Sequence, residues 1–194
     1  MVAERRILND LNLPLMSDEQ FLAFCRLNPN MRIERDSDMN IMVMPPTNSY
    51  TGNYNFELAG ELFAWNRKHK LGKGFDSSTG FKLPGGAIYA PDLAWISQAR
   101  WDAIPESERQ GFAPIAPDFV LELRSPDQAL STLKNKMEDY IAAGCRLAWL
   151  IDPQVRKTWV YAENGDIQTI PFEEALSGAA VLEGFELRLW DIFV

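Results

Sequence analysis

Histidine and cysteine are nearly missing from this chain, and their scarcity removes whole classes of chemistry. The one histidine, His69, sits at the end of an expected helix with no partner pattern for a triad, so Ser-His and Cys-His nucleophilic catalysis find no support. Cys25 and Cys145 are far apart and show no C-x-x-C spacing. Neither a zinc site nor a disulfide framework follows from them, and a reducing, cytoplasmic setting fits best. Long apolar runs are absent too: Leu147 to Ile151 is the longest, far below the roughly 20 residues a bilayer-spanning helix needs. Met1 to Leu15 mixes Glu4, Arg5, Arg6 and Asp10 with isolated apolar residues, which is not the order of a secretory signal. Positive charge is also short, with 19 Lys and Arg against 27 Asp and Glu and a net charge of -8. The average field of such a chain repels a polyanion. Its one basic run, Arg67, Lys68, His69, Lys70 and Lys73, falls just where a helix is expected to end before Gly72. There cations complement the helix dipole and glycine supplies a cap.

What is present is enough for one substantial core: 194 residues, 46% of them hydrophobic, with no internal repeat or long linker. We expect a single domain over 1–194 of α/β (α+β) class, a mixed central sheet flanked by helices. An N-terminal helix and hairpin would occupy about 1–46, a core about 50–162 and C-terminal strands about 163–194. Ser17 caps a predicted helix over Asp18 to Leu27. Arg32 to Arg35 and Ile41 to Met44 alternate around Asp36-Ser37-Asp38 as a hairpin stopped by Pro45-Pro46. A long helix is predicted from about Asn53 to Lys70, with Phe56, Ala59, Gly60, Phe63 and Ala64 toward the core. Pro91 to Ser97 reads as a half-buried strand, and Asp118 to Ser125 as a central one. Ser125-Pro126-Asp127-Gln128 has the pattern of a capping box opening a helix striped by Leu130, Leu133, Met137, Tyr140 and Ile141. Leu147 to Asp152 would then run parallel to the central strand through a right-handed crossover. From Leu182 onward Phe185, Leu187, Leu189 and Trp190 are expected to pack inward.

Alternation sorts the side chains of each of these strands onto two faces. Asp92, Ala94 and Ile96 share a face, as do Val120, Glu122 and Arg124. An Asp entering one strand and a Glu thirty positions further on would converge at strand ends. Magnesium and manganese favour oxygen donors, so Asp92, Glu122, a backbone carbonyl and a phosphate oxygen form a reasonable ligand set. Such an ion suits phosphodiester hydrolysis by water.

These residues resemble the PD-(D/E)XK nuclease superfamily, and within it the Uma2 family of restriction-endonuclease-like proteins. The resemblance spans most of the chain. It rests on Ile33-Glu34, Phe75-Asp76-Ser77-Ser78-Thr79-Gly80-Phe81, Pro91-Asp92, Phe119 to Ser125, Lys136-Met137 with Tyr140, and Trp149-Leu150-Ile151-Asp152-Pro153. It implies a restriction-endonuclease-like fold, DNA as substrate, a Mg2+ or Mn2+ ion on Asp92 and Glu122, and Glu34 as the early acidic residue completing the site. The chain departs from the family pattern at one position, because Arg124 stands where a lysine is expected two residues after the Glu. Arginine stabilises charge but does not serve as a base. Lys136, beside the buried helix stripe, is the first choice to replace that lysine, and Lys82 the second.

Ordinary roles exist for each residue. Asp92 could bond its own backbone at a strand start, Glu122 and Arg124 could be a surface ion pair, Lys136 could lie along its helix edge, and Glu34 could belong to the charge around a turn. Two further functions are therefore carried forward: a catalytically silent nuclease-fold module that binds or assembles, for instance as a homodimer, and an acid/base hydrolase using the same carboxylate pair.

Overall fold

The computed structural model describes residues 6–7 and 15–193. Ser17 opens helix α1 (Asp18–Leu27) with a reciprocal capping box, its Oγ accepting from the Gln20 N–H while its own N–H donates to Gln20 Oε1 at 2.8 Å. Strands β2 (Arg32–Arg35) and β3 (Ile41–Met44) form the expected hairpin in register Arg35 to Ile41. With β1 (Arg6–Ile7), β5 (Phe81–Lys82) and β6 (Ile88–Tyr89) they make a five-stranded sheet in the order β1-β3-β2-β6-β5.

The second and larger sheet holds β4 (Gly72–Asp76), β7 (Leu93–Ser97), β8 (Phe119–Leu123), β9 (Leu147–Asp152), β10 (Lys157–Ala162) and β11 (Ile167–Pro171), ordered β11-β10-β9-β8-β7-β4. Only β8 and β9 are parallel, and helix α5 (Leu130–Ala142) joins them. The mixed sheet and its β-α-β crossover thus match the expectation. One face buries Ala94, Ile96, Val120, Ala148 and Leu150 under Leu133, Met137 and Tyr140 of α5. The opposite face buries Leu93, Trp95, Phe119, Leu121 and Trp149 under helix α2 (Ser49–His69) and the C-terminal segment. The short helices α3 (Gln98–Asp102) and α4 (Glu106–Arg109) connect β7 to β8, and β12 (Leu176–Ser177) pairs with β13 (Glu186–Leu187) near the C-terminus.

Four local expectations are corrected. Helix α2 turns Leu58, Leu62 and Trp65 inward and leaves Phe56 (75%) and Phe63 (62%) in solvent. The Trp65 indole settles the rotation: it donates to the Glu183 carbonyl at 3.0 Å and meets Trp95 edge-on, anchoring the face nearly opposite to the two phenylalanines. The cap of α2 is Lys70, in the left-handed region at φ 56°, and not Gly72. Gly72 is needed for another reason: a Cβ there would lie 2.1 Å from the Ile96 carbonyl oxygen and 2.6 Å from the Trp95 ring. Ser125 to Gln128 is a closed turn before α5, which starts at Leu130 with no side-chain cap. Gln128 N–H donates to the Ser125 carbonyl and Gln128 Oε1 accepts the Ser125 N–H, both at 3.1 Å, while Arg124 Nε holds the Gln128 carbonyl out of the helix. At the C-terminal end Phe185, Leu187 and Leu189 are buried but Trp190 is exposed, because a short 3-10 turn over Leu189–Asp191 rotates it outward. No helix among the described residues is long and apolar enough to cross a membrane.

Candidate active site

Strand parity brings the site together. Leu93 pairs with Leu121 in the antiparallel β7/β8 ladder, so the register continued by one residue sets Asp92 across from Glu122, on the face covered by α5. The two strands are stitched at this point by the side chain itself, since Asp92 Oδ2 accepts the Leu123 N–H at 2.9 Å. On β2, Arg32 and Glu34 alternate with Ile33 and Arg35. Arg32 and Glu34 face β7 and α5, while Ile33 joins the small core beneath α1 and Arg35 reaches Met16 O, Gly86 O and Asp18.

One cation from each of two elements binds these acids. The Lys136 ammonium, one turn before Tyr140 on α5, lies 2.6 Å from Glu122 Oε1 and 2.9 Å from Glu34 Oε1. Arg32 Nη1 is 2.9 Å from Asp92 Oδ1, and Nη2 donates to the Ala90 carbonyl and approaches Glu34 Oε1 at 3.8 Å. Glu34 Oε1 also accepts the Ala90 N–H at 2.9 Å, while its Oε2 is buried without a partner. Tyr140 donates to Glu122 Oε1 at 3.3 Å, and the rings of Tyr89 and Tyr140 flank the ammonium at 5.1 and 5.9 Å. Tyr89 is itself held by a 2.6 Å hydrogen bond to Asp139.

Crowding of charge in so small a volume shifts Glu122, Glu34 and Arg32 from their ordinary values. Burial pushes the Glu122 carboxyl up to about 7; Lys136 opposes the rise, and the neighbouring Asp92 and Glu34 charges add to it. Burial would raise Glu34 as well, but Lys136, Arg32 and two hydrogen bonds outweigh it and keep this carboxyl below its ordinary value. Arg32 loses hydration but gains three carboxylates, which keeps it firmly protonated.

Of the residues expected at the site, Glu34, Asp92, Glu122 and Lys136 are together and buried. Arg124 is not brought to them. Its Nη1 binds buried Asp152 at 2.6 Å and its Nε binds the Gln128 carbonyl, because Arg124 follows the last residue of β8, where the chain turns toward α5. Lys82 pairs with Asp18 on α1, away from the cluster. Arg32 escaped the sequence reading. The signal was there, since it sits two residues before Glu34 on the same strand face.

The cluster opens at Asp92 and Arg32 onto a cleft of about 540 Å³ lined by Asn30, Met44, Pro45, Pro46, Asn48, Asn55, Ser77, Leu123, Ser125 and Gln128, among others. Among the described residues no three His, Cys, Asp or Glu side chains are spaced to enclose a metal ion as they stand.

A helix-covered mixed sheet with carboxylates opposed at its strand ends defines a restriction-endonuclease-like architecture. The chain belongs to the Uma2 family, described as "putative restriction endonuclease", which matches residues 18–190. No curated protein matches it. A solved structure described as a putative nuclease belonging to DUF820, from Anabaena variabilis, superposes with a TM-score of 0.71 over 97% of each chain at 20% sequence identity. At that identity the likeness speaks for the fold.

Proposed function

We propose that this protein is a divalent-metal-dependent endonuclease that hydrolyses DNA phosphodiester bonds. The observation that carries the reading is the meeting of Glu34, Asp92 and Glu122, from three separate strand regions, around the buried Lys136 ammonium, with Asp92 and Arg32 at the edge of a cleft. Buried, mutually perturbed ionisable groups beside a cleft are a functional-site signature. The donor set fits Mg2+ or Mn2+: it is all oxygen, and the unpartnered Glu34 Oε2 is a buried acceptor with spare capacity. Asp92 and Glu122 would hold the ion, with Glu34 completing the acidic set. When bound, the ion would polarise the phosphoryl oxygen and acidify a coordinated water. Lys136 neutralises Glu122 and Glu34 at rest and, with an ion bound, would stabilise charge growing on the phosphoryl oxygens. Arg32 orients Asp92 and faces the cleft, where it can bind a phosphate. The test is cleavage of plasmid and single-stranded DNA with Mg2+ or Mn2+. Wild-type protein should cut, and Glu122→Ala should not; equal cleavage by both removes the proposal.

A second reading has its own support. Both Asp92 oxygens are already bonded, to Arg32 and to the Leu123 N–H, and the two cations offset much of the acidic charge. A nuclease fold neutralised in this way would serve as a silent module for binding or for assembly with a second copy. Calorimetry separates the two: Mn2+ or Mg2+ binding that disappears in Asp92→Asn rules the silent module out.

A further inference from the structure

The chemistry of the cleft beside Asp92 bears on what kind of nucleic acid it admits. Duplex recognition leans on phosphate contacts from Lys and Arg, which supply most of its affinity. Among the described residues lining this cleft, Arg32 is the one cation, bonded to Asp92 and the Ala90 carbonyl, against the two carboxylates of Asp92 and Asp127, so the cleft offers a polyanionic duplex little beyond a single guanidinium. Arg67, Lys68, Lys70 and Lys73 lie elsewhere. Lys73 pairs with Ile96 and Gly72 with Ser97, at the end of β7 remote from Asp92, and α2 delivers the other three to that same end.

The cleft walls carry neutral amides whose free atoms are complementary to a base edge. Asn48 Oδ1 is used by the Thr51 N–H at 3.0 Å, which leaves its Nδ2 as a donor. Gln128 Oε1 is used by the Ser125 N–H, which leaves Nε2 as a donor. Asn55 also lines the cleft, and its Oδ1 has no partner inside the protein, so rotation of the amide about Cβ–Cγ can turn that acceptor from its buried position toward the cleft. Met44, Pro45 and Pro46 supply apolar lining, and the volume of about 540 Å³ falls in the range of small-molecule pockets. An unpaired base presents donors and acceptors on its Watson–Crick edge and two apolar faces, whereas a paired base has that edge consumed.

From this arrangement we infer that the cleft binds an unpaired nucleotide of single-stranded DNA, its base held by Asn48, Asn55 and Gln128 and its phosphate directed toward the Arg32 guanidinium. The inference rests on the nuclease reading for the identity of the polymer, but it concerns binding and is measurable without turnover.

The experiment is fluorescence anisotropy with a labelled 12-nucleotide strand and with its duplex, using Glu122→Gln protein so that no strand is cut. The single strand should bind at least about tenfold more tightly than the duplex. Its affinity should fall only shallowly with salt, with a logarithmic slope near the value of roughly -0.7 expected for one phosphate. Asn55→Ala removes an acceptor that has no internal partner. It should therefore not lower the unfolding midpoint, and should weaken the single strand by about tenfold, the scale of one lost base contact. Duplex binding as tight as single-strand binding, a slope of several phosphates, or unchanged affinity in Asn55→Ala overturns the inference. Single-strand binding lost in Asn55→Ala supports the cleft even if wild-type protein cuts no DNA, so failure of the nuclease reading is separable from failure of this one.

Discussion

Lys136 and Glu122 are joined by a 2.6 Å ion pair in which neither side chain is more than 5% exposed. Lys136 also serves Glu34, so its removal strands two buried acids at once. Breaking a buried pair from one side costs about 3–5 kcal/mol, mostly for the charge left without a partner. Lys136→Ala should lose stability on that scale in urea unfolding at pH 8. The deficit should shrink at pH 5, where Glu122 takes up a proton. A loss below about 1 kcal/mol at pH 8 would show that water reaches these acids freely.

Glu122 makes a second, separate prediction. Its carboxyl is pushed up to about 7 by burial, above the ordinary carboxylate value it takes in the unfolded chain. The folded state therefore binds this proton more tightly, so the associated stability is fully present below the unfolded pKa and is lost as pH rises through about 7. Glu34 is shifted the other way, and its contribution fades only on acidification below the ordinary glutamate range. Between pH 5 and 8 the Glu122 effect should dominate, on the order of 3 kcal/mol if the whole shift is expressed. Glu122→Gln should flatten the decline of the unfolding free energy across that window; an unchanged pH slope would refute the assignment.

Much of this was readable from residue order, and the misses have physical causes. Two-residue alternation grouped Asp92 with Ala94 and Ile96, and Glu122 with Val120, and the turn formers Asp36-Ser37-Asp38 marked the β2/β3 hairpin that carries Glu34; the strand registers set Asp92 and Glu122 on one face. What alternation cannot supply is the packing of one sheet against another. Glu34 looked like turn-side charge because its burial depends on β6 and α5 arriving from distant sequence. Helix α2 was misrotated because Phe56 and Phe63 outweigh Leu58 and Leu62 in any reading of local hydrophobicity, whereas the indole of Trp65 and the C-terminal segment decide which face is covered. Arg124 lies one position past the end of the strand at Leu123, so alternation along the strand does not carry its side chain to the face of Glu122, and it bonds Asp152 instead.

Arg32 and a divalent cation want the same oxygen of Asp92. Nη1 of the guanidinium stands 2.9 Å from Oδ1, and its charge repels any ion placed among Glu34, Asp92 and Glu122. A guanidinium about 4 Å from a divalent ion at an effective dielectric near 20 is unfavourable by up to about 8 kcal/mol, twice the figure for two unit charges, of which solvent at the cleft mouth removes a large share. Arg32→Met should therefore raise Mn2+ affinity by about tenfold or more, read by calorimetry, and Asp92→Asn in the same background should abolish the gain. Unchanged affinity would mean that the guanidinium swings clear without cost.

Arg124 offers the sharpest contrast with Lys136, because both are cations near β8 but only one touches the acidic cluster. The Arg124 guanidinium neutralises fully buried Asp152 and fastens the Gln128 carbonyl in the turn before α5. Arg124→Ala should thus be destabilising by about 3–5 kcal/mol, the cost of a buried acid without its partner. Arg124→Ala combined with Asp152→Asn should recover part of that loss, since neighbours sharing one interaction are not additive. At a temperature where the variant remains folded, its Mn2+ affinity should equal that of wild type, whereas Lys136→Ala should change it. If Arg124→Ala altered metal binding as strongly as Lys136→Ala, the arginine would belong to the site after all, and the lysine position would be filled as the family pattern places it.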